Sequence, residues 1–232
     1  MMRGPGIWRI AASSPLAIAA LVWSLGSFTA VAEEEVTTAD GRRLVLQEYP
    51  VPRGAYPHDA VPDRNGRYVW YSGQQSSTVG RLDPTTGDVM VINLPSGSAP
   101  HGILIGPDDG VWVTDGGVNA IRRIDPETQR IDTYPLPGAR ANLNTLTFDH
   151  NGILWFTGQS GYYGRLDRST GIVEQFSAPR GGGPYGISTA PDGTVYFASL
   201  AGSYLGRINA DASVTELDPP TPRAGVRRVW PD

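Results

Sequence analysis

His58 and His101 each follow a proline and lie 43 residues apart. Asn144 falls 43 residues further on, and Tyr185, again after a proline, 41 residues beyond that. Imidazole is the side chain best suited to taking a proton near neutral pH, and a nearby carboxamide and phenol can position a polar substrate. Asp115 closes the stretch "VWVTD" with a carboxylate. Tyr162 and Tyr163, in "GQSGYYGR", supply aromatic surface on which a ligand could stack. These residues make one site only if the fold brings a common position of each repeat together.

The chain repeats with a period of about 42 residues. Trp70, Trp112, Trp155 and Tyr196 are spaced by 42, 43 and 41 residues, and Arg81, Arg123, Arg165 and Arg207 by 42 each time. Asn65-Gly66, Asp109-Gly110, Asn151-Gly152 and Asp192-Gly193 precede the aromatic positions and suit tight hairpin turns that need positive φ. Each unit then reads as four short strands, in the second unit "HGILIGP", "GVWVTD", "AIRRIDP" and "RIDTYPLP". Four-stranded units of this length predict an all-β fold, a β-propeller with four complete blades. Aligned on their turns, the units place His58, His101, Asn144 and Tyr185 at the start of the innermost strand, around the mouth of the central channel. A fifth such position falls between Gly225 and Arg228. The tryptophans are expected to pack blade against blade. The Arg81/Asp83, Arg123/Asp125 and Arg165/Asp167 pairs, two residues apart on one strand face, are expected to be ion pairs.

The ends of the chain give partial blades. "RRLVLQEYPVP" at 42–52 resembles the fourth strand of a unit, as in a propeller closed by its N-terminal strand, and "RAGVRRVWPD" matches the first strand of a fifth unit. We therefore expect a truncated ring whose open edges invite self-association. Residues 1–32 have the pattern of a secretory signal: Arg3 and Arg9, the apolar run "LAIAALVWSLGSF", and "AVA" ending at Ala32. An uncleaved anchor is the alternative, but the run is short for a membrane span. The expected mature domain is 33–232, periplasmic or secreted, with no membrane span after cleavage.

There is no cysteine, so packing alone must hold an exported domain. The 19 basic residues against 23 acids give a net charge of −4, and no basic stripe exists to follow phosphates, which argues against nucleic acid as a partner.

The motifs "PHGI" and "PYGI", "PDG" followed by a tryptophan or tyrosine strand, "GRLD" and "YPLP" resemble the virginiamycin B lyase, or streptogramin lyase, family over residues 48–232. The resemblance implies a seven-bladed propeller. It also implies a magnesium-assisted lyase that opens a cyclic peptide ester by elimination, with Pro-His and Pro-Tyr residues at one mouth of the channel. His101 and His58 match as candidate bases. Tyr185, with Asn144, Tyr162 and Tyr163, are candidates for substrate binding, and Asp115 is a metal candidate. The glutamates usual in the family before Pro-His and at the end of second strands are replaced, by Tyr56 and Ala99 and by Gly73, Gly158 and Ser199. Two other functions stay open: a non-catalytic propeller that binds a small molecule or protein, and a lactone hydrolase with acids and amides around the axis.

Overall fold

The structure is a computed structural model and describes residues 7–12 and 32–231. The signal expected over residues 1–32 lies for the most part outside the described residues. Strands β1 (Ile7–Ala12), β2 (Ala32–Thr37) and β3 (Arg43–Pro50) form an antiparallel sheet in the order β1-β3-β2. The first blade holds β4 (Pro57–Pro62), β5 (Val69–Gly73), β6 (Thr78–Leu82) and β7 (Val89–Asn93). The second holds β8 (Pro100–Ile105), β9 (Val111–Asp115), β10 (Ala120–Ile124) and β11 (Ile131–Pro135). The third holds β12 (Leu143–Phe148), β13 (Leu154–Gly158), β14 (Tyr162–Asp167) and β15 (Ile172–Ser177). The fourth holds β16 (Pro184–Thr189), β17 (Val195–Ser199), β18 (Tyr204–Ile208) and β19 (Val214–Leu217). Each is an antiparallel meander in sequence order, as the repeat predicts.

The hairpin turns follow their chemistry. Gly66, Gly152 and Gly193 take positive φ, at 66°, 77° and 87°, after their Asx partners. In the second unit Asp109 itself takes it, at 56°, because "PDDG" carries the turn one residue earlier.

Neighbouring blades bury their faces against one another. Trp70, Trp112 and Trp155 are all buried, and Trp112 packs with Leu143, Leu146 and Phe156 of the next blade. Trp112 and Trp155 also donate their indole N–H groups to Asp108 and Asp149, 3.0 Å away in each case. The arginines depart from expectation. Only Arg123 keeps its ion pair with the aspartate two residues on, at 3.7 Å from Asp125, and it lies nearer Asp108, at 2.6 Å. Arg81 stacks on Tyr68 and Trp70, and Arg165 pairs with Glu174. The reason is local: Asp83, Asp125 and Asp167 turn back to accept backbone N–H groups of the tight turns that follow them.

Inner strands β4, β8, β12 and β16 are neighbours in turn. A buried hydroxyl joins each pair of blades. Ser72, at the penultimate position of β5, accepts from the Asp59 N–H of its own blade and donates to the His101 carbonyl of the next. Thr114 does the same between Gly102 and Asn144, and Thr157 between Thr145 and Tyr185. All three side chains are buried. Thr114→Val keeps the shape and orphans the Gly102 N–H, so it should lower stability by about 1–3 kcal/mol. Urea unfolding measures this, and Thr114→Ser, the chemistry of the first blade, should restore most of it.

Candidate functional site at the channel mouth

The residues that open the inner strands do not sit in regular ladder. Register shifts fall between Pro57 and Ala60, Pro100 and Ile103, Leu143 and Leu146, and Pro184 and Ile187. A bulge of this kind re-aims the residue inside it. The residues so placed are His58, His101, Asn144 and Tyr185, the four read from the repeat.

The structure brings them together. The rings of His58 and His101 lie 3.9 Å apart between centroids, and those of His101 and Tyr185 6.2 Å apart, edge to face. Asn144 Nδ2 lies 3.2 Å from His101 Nε2. The fifth position is Arg227. Its carbonyl accepts the Gly186 N–H at 3.0 Å, and its guanidinium donates to the Tyr185 hydroxyl at 2.9 Å while lying over that ring. Arg228, next to it, reaches back across the mouth to Asp59, at 3.4 Å.

His101 is 4% exposed. Burial, then the neighbouring His58, with Arg228 and Arg227 adding to the effect and Asp59 opposing it, push its pKa down to about 4. The ring is therefore neutral at pH 7. An Asn144 amide N–H directed at Nε2 makes that nitrogen the acceptor and leaves the proton on Nδ1, which has no partner. His58 is more open, and its Nδ1 lies 3.3 Å from an Asp59 carboxylate oxygen, close enough to be oriented but outside hydrogen-bond geometry.

The low pKa of His101 has a stability consequence. Between pH 6.5 and 4 the unfolded chain binds the proton that the folded chain refuses, so stability falls as pH drops through this window and is flat above it for this group. The slope approaches about 1.4 kcal/mol per pH unit. Unfolding followed from pH 7 to 5 should show this loss, and His101→Gln should flatten it; an unchanged profile would place the origin elsewhere.

The other sequence candidates lie apart from the mouth. Asp115 is fully buried. One oxygen accepts from Arg122 Nε at 2.7 Å, and the other accepts the N–H of Ala99 and lies within 3.4 Å of those of Gly117 and Val118. That carboxylate is committed to protein partners. Tyr163 is buried, stacked on Phe197 at 5.5 Å, and gives its hydroxyl proton to the Ala212 carbonyl. Tyr162 is half-buried against the core cluster that holds Ala141 and Leu143. Both tyrosines belong to the stack between blades. Their positions in the repeat say so in retrospect, since Tyr163 matches Val79 and Ile121, both buried. Tyr204 is likewise buried, under Arg180. One contributor escaped the sequence reading, Asp59, where the first unit has "PHDA" and the second and fourth have "PHGI" and "PYGI"; Arg227 falls within the span bracketed for the fifth position.

A groove of about 630 Å³ lies at the opposite end of the strands, among the turns carrying Asp149 and Asp192. Those acids cap their own turns, so no chemistry is assigned there.

Magnesium, which the family resemblance implies, takes near-octahedral oxygen ligands. Among the described residues, the ligand group at the mouth is His58, Asp59 and His101, with one carboxylate and two imidazoles. This donor set does not fit magnesium, and no step below runs through it.

Comparison with known proteins agrees with the fold. A crystal structure of a catalytically inactive histidine-to-alanine variant of virginiamycin B lyase from Staphylococcus aureus, with quinupristin, superposes with a TM-score of 0.72 at 29% identity, covering 84% of this chain and 66% of that chain. The selenomethionine-substituted enzyme from the same organism gives 0.72 at 30% identity with the same coverage. A streptogramin B lyase structure gives 0.72 at 26%, covering 83% of this chain and 64% of that one. The chain thus spans just under two thirds of the length of these solved relatives. Propellers described as gluconolactonases or 6-phosphogluconolactonases, between 11% and 14% identical, share the fold alone. No curated protein matches the chain. The sequence model of the Virginiamycin B lyase family matches residues 98–230, more than half of the chain, and the chain belongs to that family.

Proposed function

We propose that the mouth carries out ring opening of a cyclic peptide ester of the streptogramin type by elimination, with His58 as the base. The observation that carries this is the pair of imidazoles in contact at the mouth, one buried and neutral, the other open and beside a carboxylate. In the reaction a proton leaves the carbon next to a carbonyl and goes to His58. The electron pair forms a double bond to the next carbon, the bond from that carbon to the ester oxygen breaks, and a carboxylate departs. No water is consumed.

Each side chain has a task suited to its state. Asp59 steadies the imidazolium that forms on His58, as a carboxylate does for a catalytic histidine. His101, held neutral, would give its Nδ1–H to the carbonyl oxygen on which charge develops once substrate displaces the groups that cover that nitrogen, the use to which a neutral imidazole donor is suited. Asn144 is a positioning residue that fixes the His101 tautomer. Arg227 and Tyr185 flank the path of the departing carboxylate. The N-terminal pattern supports export, which would place this mouth outside the cytoplasm.

Incubation of the protein with quinupristin, followed by mass spectrometry and chromatography, tests the reading. Elimination gives a linear product of unchanged mass; a lactone hydrolase would add one water. A second reading, binding without turnover, is favoured by the single carboxylate at the mouth. It predicts no product with any added metal, but a melting temperature raised by the ligand through mass action.

A further inference from the structure

The same three residues that fail to suit magnesium suit a different ion. His58, Asp59 and His101 each offer a ligand atom, and these atoms all lie within 4.8 Å of one another. Residues 58 and 59 are adjacent in sequence and would face opposite sides of a regular strand, but the register shift between Pro57 and Ala60 lets both turn to the mouth. The Nδ1 atoms of both imidazoles are buried and without a hydrogen-bond partner. His101 is buried, so an unpaired ring nitrogen there is costly unless something fills the place.

We propose that His58, Asp59 and His101 form a binding site for a divalent ion of the zinc class. Two imidazole nitrogens and one carboxylate oxygen are the donors that zinc and its borderline neighbours select, and three protein ligands leave a fourth position open. Asn144 supplies an outer partner. With its amide reversed, its carbonyl would accept the Nε2–H of a His101 bound to metal through Nδ1, the usual support of a ligating histidine. Arg228 opposes the ion, since it holds Asp59 at 3.4 Å, and Arg227 adds positive charge nearby. Both side chains are exposed and can be displaced toward solvent. A metal on His58 also leaves that ring's other nitrogen protonated, so the loaded site and the base proposed above are alternative states of one histidine. Binding is therefore measured without substrate, which keeps the outcome separate from that of the elimination assay.

The experiment is calorimetric titration of metal-free protein with zinc, cobalt and magnesium, with visible absorption of the cobalt form. The site predicts one ion per chain, zinc bound more than about 100-fold tighter than magnesium, and visible bands from cobalt with nitrogen ligands. His58→Ala and Asp59→Asn should each weaken zinc by more than the ~10–100-fold typical of losing an outer partner, and Asn144→Leu should fall within that range. Arg228→Gln should tighten it. Circular dichroism of each variant checks folding, and His58→Ala, the more open of the two histidines, gives the decisive arm if a His101 variant fails to fold. Zinc bound no tighter than magnesium, no binding at all, or unchanged binding in His58→Ala and Asp59→Asn would overturn the site.

Discussion

Asp115→Ala should destabilise the protein by about 3–5 kcal/mol, the cost of stranding a buried charge by removing its partner. The stranded charge is Arg122, 3% exposed, which also reaches Thr133 and Ser98. The reason an arginine is there lies in the repeat. The other three blades put glycine at this position of the third strand (Gly80, Gly164 and Gly206), and a Cβ at any of them would collide with the ring of Tyr71, Phe156 or Phe197. In the second blade that ring is replaced by Val113, and the space it gives up is taken by the Arg122 side chain. Asp115, standing where other blades have Gly73, Gly158 and Ser199, neutralises the intruder. A triple change, Val113→Phe with Arg122→Gly and Asp115→Gly, rebuilds the pattern of the third blade. It should recover much of what Asp115→Ala loses, because a buried ion pair exchanged for well-packed apolar groups is often neutral or better. Denaturant unfolding of both variants checks this. A triple variant no more stable than Asp115→Ala would mean that the swap is not what the aspartate serves.

His58→Ala should reduce kcat for ring opening by about 10²–10⁴, the range for losing a positioned general base. Asp59→Asn should cost less, since it removes only the stabilisation of the imidazolium. His101→Gln keeps a neutral N–H donor at the mouth and should retain more activity than His58→Ala. The comparison separates the two histidines: if His101→Gln is inactive while His58→Ala turns over, the base is His101 and the roles are reversed. Single-turnover kinetics with quinupristin gives the split between binding and chemistry.

The spacing of Trp70, Trp112 and Trp155, and of the Asx-Gly turns, made the blades legible, because each blade must solve the same packing problem with the same residue types. It also made the ring of His58, His101, Asn144 and Tyr185 legible, since a repeat places equivalent residues equivalently about an axis. What the spacing did not carry was the content of departures from it. Asp115 looked like a retained ligand, when the missing glycine in "AIRRID" marked it as a counter-charge. Tyr162 and Tyr163 looked like a surface for stacking a ligand, when the period put Tyr163 level with buried Val79 and Ile121. The pairing of Arg81 with Asp83 failed because the Thr85 amide, two residues on, competes better for the carboxylate than a flexible guanidinium does. The depressed pKa of His101 needs first its burial by the assembled blades and then the positions of His58, Arg227 and Arg228, which are remote in sequence and meet only across the mouth.

The hydroxyls of Ser72, Thr114 and Thr157 hold the residues at the mouth by their main-chain carbonyls, from the preceding blade. None of these bonds touches the side chains that face the channel. The location of each reacting group is thus set by one blade and its identity by the next, so the two can change independently. A histidine, an amide, a phenol and a guanidinium already occupy equivalent places on one backbone frame. Substituting among them should alter the chemistry of the mouth while leaving its dimensions intact, which makes this rim a surface on which different ligand specificities can be written without redesigning the fold.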